Sequence, residues 1–485
     1  MIVEVYALLT GLVSVFGLHR AWLLARFRWE ERQPLPPLDR ARAPRVTVQL
    51  PLYNERTVAA RAIRAAGALD YPREQLELQV LDDSDDDTRA IVDAEVERLR
   101  EHGVRASVVR RDTREGFKAG ALANGLATAQ GEFIAIFDAD FEPARDFLTR
   151  LMGAFEDPGV DLVQARWEHL NREHSAFTRA QAVLLDGHFV ITHKVRDERG
   201  LFLHFNGTAG VWRRSAIERA GGWQHDTLTE DLDLSYRAQL AGSRLRYAAH
   251  VTAPAELPEQ IAAFKSQQAR WARGTVQTAR KLMPRILRAR LSWRVKLEAA
   301  LHFLAHAGHP LVLALVALFP FAVGASSQVR WGWCALLLGL CTPAVLLFYE
   351  RAQRAIGRPL GARLLDSLLA VVLGLGSSWW LALAALRGLF GATGEFVRTP
   401  KRGDGRARGY VASVREAPGV EFAWCLWAAF GLVRAVQCGA YAAAAFAALY
   451  VAGFAWVGWL SLPRPSDADA VGERAPSAPQ SLHER

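Results

Sequence analysis

EFIAIFDAD, residues 132–140, decides the fold. Its apolar run has the length and composition of a buried strand, and it stops on two carboxylates. Three comparable runs precede it: VTVQLPLY (46–53), LELQVLDD (76–83) and ASVVRR (106–111). Helical patterns alternate with them, over 55–68, 88–101, 118–129 and 144–156. Strands spaced by helices predict a parallel α/β sheet. Ligands of such sheets gather at the carboxyl ends of the strands.

The polar motifs fall at those ends. The first strand stops at Tyr53-Asn54-Glu55, the second at Asp82-Asp83-Ser84-Asp85, and the fourth at Asp138-Ala139-Asp140. A single acid at a strand end reads as an ordinary helix cap. Three sets at one rim repel each other unless a cation or hydrogen-bond donors compensate, so together they read as a ligand site. The fourth strand is read through residue 140, and its alternation puts Asp138 and Asp140 on one face. Two hard oxygen donors there suit Mg²⁺ or Mn²⁺ with substrate phosphates.

Further along, GFKAGALANG (116–125) sets Lys118 before a helix start of small residues. That pattern suits a phosphate, and equally an ordinary Gly/Ala-rich helix start. HFNGTAGVWRR (204–214) is a loop able to approach a ligand closely. In SQQARWARG (266–274), helical spacing puts Gln267, Arg270 and Trp271 on one face. They read as a phosphate clamp and stacking surface, against a membrane-interface belt. TLTEDLDLSYRAQL (227–240) crowds Glu230, Asp231 and Asp233 at a helix start. Thr227 and Glu230 predict a capping box, and Leu232, Tyr236 and Leu240 a core-facing stripe. Asp233 reads as solvated or structural, and Asp231 is left without a part in the cap. No GxxxxGK[ST] loop and no GxGxxG follow the strands, which argues against a P-loop NTPase and a dinucleotide oxidoreductase.

The chain has 485 residues and a net charge of +9, unevenly spread. Residues 29–296 carry both signs, whereas 297–461 are mostly apolar. The second part therefore reads as membrane. Its four cysteines, Cys334, Cys341, Cys425 and Cys438, read as small buried hydrophobes, without a disulfide framework or a zinc site. The sequon at 206–208 falls in the charged part and reads as chance. Residues 2–18, extended to about Leu24, make a span. Glu4 and the lack of an Ala-x-Ala exit weaken a cleaved signal peptide. The basic RFRWEERQ that follows puts residue 29 onward in the cytoplasm. Further spans are expected at 297–323, 331–349, 421–436 and 437–461. The segment 364–391, interrupted by GLGSSWW (374–380), lies between two basic stretches and reads as re-entrant or interfacial. Residues 281–296 read as an amphipathic interface helix, and 466–485 as a disordered tail. The expected order is therefore an N-terminal helix (1–28), a linker (29–44), a catalytic domain (45–280), the interface helix (281–296), a membrane domain (297–461) and the tail (462–485).

The motifs YNE (53–55), DDSDD (82–86), GFKAGAL (116–122), FDADF (137–141), VQARWEHLN (163–171), GTAGVWRR (207–214), TEDLDLSYRAQLAG (229–242) and QQARW (267–271), in that order, resemble family 2 glycosyltransferases of the processive, membrane-embedded kind. The resemblance is closest to cellulose-synthase-like A glucomannan and mannan synthases and their bacterial relatives, and more distant to bacterial cellulose synthase. It covers 45–280, and FVRTPK (396–401) is similar to the gating loop of such synthases. It implies an α/β GT-A fold with a mixed, mainly parallel sheet, an inverting hexosyltransferase and a nucleotide-diphosphate sugar donor, GDP-mannose or UDP-glucose. It also implies a growing polysaccharide acceptor and Mg²⁺ or Mn²⁺.

Carried over by motif, Asp231 would be the general base, and Asp138 and Asp140 would hold the metal-diphosphate. Asn54, Glu55, Asp83, Lys118, Gln267 and Arg270 would contact the nucleotide sugar, and Gly207, Thr208, Glu230 and Trp271 the acceptor. Trp379, Trp380 and Trp456 are candidate liners of a polymer path but read more simply as anchors or packing. No cyclic-di-GMP-binding PilZ-like extension is recognised. The expected protein is multi-pass in an inner, plasma or Golgi membrane, with its catalytic domain cytoplasmic and no nucleic-acid partner. Its state as a homo-oligomer or monomer stays open. The rivals are a glycosyltransferase adding single sugars to a lipid, and a transporter or scaffold with a degenerate sugar-nucleotide domain.

Overall fold

A computed structural model describes residues 1–30, 35–324, 328–391 and 419–463. FVRTPK and the tail lie outside the described residues. The chain opens with helix α1 (Ile2–Arg26). Strand β1 (Val46–Leu52), helix α2 (Ala59–Gly67), β2 (Leu76–Asp82), α3 (Thr88–Glu101), β3 (Ala106–Val109), α4 (Phe117–Thr128) and β4 (Phe133–Ile136) follow as alternating units. Next come α5 (Phe147–Met152), β5 (Val160–His169), α6 (Ala176–Asp186), a π-helical turn (Gly187–His193), α7 (Lys194–Glu198), β6 (Gly210–Arg213), α8 (Arg214–Arg219), α9 (Glu230–Leu240) and β7 (Arg244–Ala255).

The strands form one seven-stranded sheet in the order β3-β2-β1-β4-β6-β5-β7. Neighbours within β3-β2-β1-β4 are parallel, as are β5 and β7, while β6 runs antiparallel to both β4 and β5. Alternation along β4 feeds two cores. Phe133 and Ala135 join the cluster under α2, α3 and α5, and Ile134 and Ile136 join the cluster under α4, α8 and α9. Both faces are covered, which is why the central strands read as continuous apolar runs.

Two expected strands end early, for physical reasons. The third was drawn to residue 111, but β3 ends at Val109, and Arg110 and Arg111 turn to the acids that end β2. Arg110 Nη2 lies 2.8 Å from Asp82 Oδ2, and Arg111 Nη2 lies 2.6 Å from Asp83 Oδ2. The fourth was drawn to residue 140, but β4 ends at Ile136. Asp138 and Asp140 therefore stand in the turn beyond, and strand alternation is not what aligns them. The helix expected over 144–156 is α5 followed by a 3₁₀ turn at Gly153–Glu156.

Beyond the sheet, α10 (Ile261–Arg288), α11 (Trp293–Phe303), α12 (Gly308–Gly324), α13 (Gln328–Ala355), α14 (Leu360–Gly376), α15 (Ser378–Phe390), α16 (Gly419–Gln437) and α17 (Tyr441–Leu460) pack as a helical domain. The single interface helix expected over 281–296 is not formed. Those residues are the end of α10 and the start of α11, with Ser292 capping the latter. Four described helices, Ile2–Arg26, Ala305–Val323, Gly419–Gln437 and Tyr441–Leu460, are long and apolar enough to cross a membrane. The segment expected to be re-entrant is broken: α14 and α15 meet at 54°, a broken span or a re-entrant loop.

Candidate active site

The strand-end acids gather on one cavity, together with charges that compensate them. Glu55, Asp83, Lys118, Asp138, Asp140, Gly207, Glu230, Asp231, Gln267, Arg270 and Trp271 all line it. Arg111 grips Asp83 with two nitrogens, at 2.8 and 2.6 Å. The Lys118 ammonium lies on the Asp138 carboxylate and donates to the Gly207 carbonyl at 2.9 Å. Burial disfavours that ammonium, yet Asp138 outweighs it and holds the Lys118 pKa above its ordinary value. Lys118 thus ties the Asp138 turn to the loop at 207, a role beyond that of a phosphate seat.

Two expected site residues do not line the cavity. The Asn54 side chain exchanges hydrogen bonds with Asp85, at 2.7 and 3.0 Å, and holds the β1 turn to the β2 turn. Thr208 is buried, and its hydroxyl accepts from the Asp138 backbone N–H at 2.9 Å. That bond positions Asp138. The turn is also closed by Phe141 N–H on the Asp138 carbonyl and by Glu142 N–H on the Pro254 carbonyl.

Asp231 sits in the first turn of α9. The capping box expected from Thr227 does not form: the N-cap is Thr229, and it makes no side-chain cap bond. Thr229 instead meets Thr278 at 3.1 Å, and Leu228 N–H donates to Gln277 at 3.0 Å, both on α10. Gly274 of α10 makes this docking close, since a Cβ there would stand 2.6 Å from Thr229 Cγ2. The start of α9 is therefore held by a second helix, the one that carries Gln267, Arg270 and Trp271. Asp233 is fully buried between Arg237 and Lys281, at 2.7 and 2.9 Å. The carboxylate of Asp231 accepts from Leu232 N–H at 2.8 Å. Burial and the neighbouring Glu230 push its pKa up to about 7, against the opposing pull of Lys118. A base poised near neutrality is what proton abstraction from a hydroxyl requires. Gly207, at φ +81°, lets the loop pass; a Cβ there would stand 2.9 Å from Asp231 Oδ2.

Three contributors escaped the sequence reading as site residues. Gln164 of β5 accepts from Asn206 N–H at 3.0 Å and donates to the carbonyls of Thr208 and Ala209, shaping the loop. Trp167, also on β5, lies 6.4 Å from the Trp271 ring and lines the same cavity. Both stand inside the quoted VQARWEHLN, but nothing in their spacing marks them. Arg114 stacks on Tyr53 at the outer edge, its pKa lowered by burial.

From Asp231, Gln267 and Trp271 a larger cavity of about 530 Å³ continues between the helices, reaching Phe16 of α1, Val312 of α12, and Gly374 and Leu381 of α14 and α15. The tryptophans considered as liners are elsewhere. Trp380 is buried against Phe264 of α10, and Trp379 and Trp456 pack on the same cluster.

Residues 44–274 match the family model described as Glycosyltransferase like family 2. Probable glucomannan 4-beta-mannosyltransferase 7 of Oryza sativa subsp. japonica is 42% identical over 287 residues, 57% of this chain and 48% of that protein. Glucomannan 4-beta-mannosyltransferase 2 of Arabidopsis thaliana is 40% identical over 268 residues, 54% of this chain and 50% of that protein. The chain thus spans about half the length of these curated relatives. Among solved structures, a mannosyltransferase from Pyrobaculum calidifontis, in complex with GDP-Man and Mn²⁺, superposes with a TM-score of 0.54 at 22% identity, over 80% of this chain and 99% of that one. Residues 44–274 are a family 2 glycosyltransferase domain of GT-A fold.

Proposed function

We propose that the protein is a membrane-embedded, inverting hexosyltransferase that builds a β-1,4-linked mannan or glucomannan from GDP-mannose, with UDP-glucose the next donor to test. The observation that carries this reading is the position of Asp231, a carboxylate with a pKa near 7 standing between the acid-lined pocket and the cavity among the helices. The similarity to glucomannan mannosyltransferases supports the choice of sugar.

In this reading Tyr53, Asp83 and Arg114 meet the nucleoside end of the donor. Gln267 and Arg270 face the diphosphate, and Trp167 and Trp271 offer aromatic faces to the acceptor sugar. Asp231, deprotonated, takes the proton of the acceptor hydroxyl as its oxygen bonds to the anomeric carbon. The bond from that carbon to the diphosphate breaks on the opposite face, and the nucleoside diphosphate leaves with the bonding pair. A single displacement inverts the configuration and needs no carboxylate nucleophile. Asp138 and Asp140 fit a hard divalent cation, and Lys118 already places one positive charge on Asp138. Such an ion, Mg²⁺ or Mn²⁺, would neutralise charge on the departing diphosphate.

The full-length protein in detergent or nanodiscs, given labelled GDP-mannose and a divalent ion, tests the reading. The expected result is a polymer digestible by β-mannanase and no product after EDTA. A lipid carrying one sugar would replace the polymerase reading with that of a single-sugar transferase, and full activity without divalent metal would remove the role of Asp138 and Asp140.

A further inference from the structure

Behind the catalytic loop lies a knot of histidines that the sugar chemistry does not use. His188 and His193 belong to the π-helical turn, and His204 to the loop leading to Asn206 and Gly207. Their ligand nitrogens all lie within 4.8 Å of one another. The ring centroids are 4.4 Å apart for His188 and His193, 5.1 Å for His188 and His204, and 4.8 Å for His193 and His204.

The backbone is built to make this meeting. In an α-helix, residues five apart point roughly 140° away from each other. The wider π-helical turn at Gly187–His193 brings His188 and His193 back to one side. Such turns are rare, and they concentrate at functional sites.

The hydrogen bonding of the cluster is incomplete. Asn206 Nδ2 serves His188 Nε2 at 3.2 Å and His204 Nε2 at 2.9 Å. His193 is fully buried, and among the described residues no hydrogen bond of sound geometry reaches either of its ring nitrogens, although Asn206 stands near enough to favour its charged form. His204 Nδ1 and Asn206 Oδ1 are buried without partners as well. Leaving such groups bare costs free energy, and buried polar atoms in that state call for an explanation. Burial holds all three imidazoles neutral, His188 at a pKa of about 3 and the others well below their ordinary value. The neutral ring is the form that binds metal.

We propose that His188, His193 and His204 bind a divalent transition ion, zinc foremost, at the wall of the cavity beside Asp231. Zinc takes imidazole nitrogens at about 2.0–2.1 Å, which sets them ~3.3 Å apart in a tetrahedron. The ligand nitrogens, within 4.8 Å of one another, would draw together by up to about 1.5 Å to reach that value. His188, His204 and Asn206 line the cavity, so the fourth position opens to water or to Asn206 Oδ1. An all-imidazole set favours zinc, copper or nickel over the magnesium and manganese that suit Asp138 and Asp140, so the two sites are chemically distinct. The ion would pin the π-helical turn to the loop that carries Gly207, where an added Cβ would lie 2.9 Å from Asp231 Oδ2.

Metal analysis of the untagged full-length protein tests this. The protein is stripped with EDTA, exposed to buffered zinc, desalted and measured by mass spectrometry, with Co²⁺ substitution followed by visible absorption. We expect stoichiometric zinc in the native chain and an intense Co²⁺ band of four-coordinate nitrogen ligation. Retention should be lost in His193→Gln and His204→Gln, and kept in the Asp138→Ala/Asp140→Ala double variant. No zinc on the native chain, or zinc retained by both histidine variants, overturns the site. If a histidine variant fails to fold, the Co²⁺ spectrum of the native chain decides: a weak octahedral band refutes the imidazole set.

Discussion

At the residue scale, Asp231 is the proposed base, and its surroundings set its strength. Asp231→Asn is expected to keep donor binding by calorimetry and to lower turnover about 10²–10⁴-fold, the usual range for a lost general base. The base works only as a carboxylate, and its pKa is raised to about 7. Turnover should therefore fall as pH drops through about 7 and level off above it. Glu230 contributes to that elevation through its charge, so Glu230→Gln should move the acid limb of the pH–rate profile to lower pH. An unmoved limb would show that another group titrates there. The acidic trio at 230–233 also divides as only a folded environment can divide it. Asp233 disappears into a buried pair with Arg237, while Asp231, two residues earlier, faces the cavity.

At the scale of elements, the α9–α10 contact carries Asp231, the proposed base, to the Gln-x-x-Arg-Trp face. Gly274 is the point of closest approach, and Gly274→Val should cost about 1–3 kcal/mol by overpacking, with a fall in turnover as α9 is pushed away. A lowered thermal midpoint together with unchanged turnover would sever this contact from catalysis. A second joint ties α10 to the helical domain, where Lys265 pairs with Glu421 of α16, both buried. Arg179 of α6 meets Asp366 of α14 at 3.0 Å in the same manner. Glu421→Gln leaves a buried ammonium and should destabilise by about 3–5 kcal/mol, read as a drop in the thermal midpoint. Lys265→Met combined with Glu421→Leu should recover most of that loss.

On the scale of the whole molecule, the sheet domain and the helical domain share one continuous void. Gly374 lines it, and a Cβ added there meets nothing within 4 Å among the described residues. Gly374→Phe should therefore project into open space and narrow the path. If the polymer leaves this way, product length shortens on sizing gels, while transfer of the first sugars continues. Unchanged length would place the exit elsewhere.

Much of this was legible in the chain. The strand–helix alternation, the acids at three strand ends, and the helical face of Gln267, Arg270 and Trp271 follow from local periodicity, which needs no partner to be read. The apolar segments likewise announce helices able to cross a membrane. Where sequence reading failed, a distant residue had intervened. β3 and β4 stop short because side chains after them find partners across the sheet, Arg110 and Arg111 on the β2 acids and the Asp138 turn on Thr208. The predicted cap at Thr227 lost to a docking on α10 that lies some fifty residues away. Trp167, Gln164 and the histidine knot are invisible to spacing because they join through space. Sequence alone determined four of the seven strands, the helices between them, and which residue types could do the chemistry. The tertiary structure decided which carboxylate has its pKa raised toward neutrality, because desolvation and neighbouring charge depend on what folds around it.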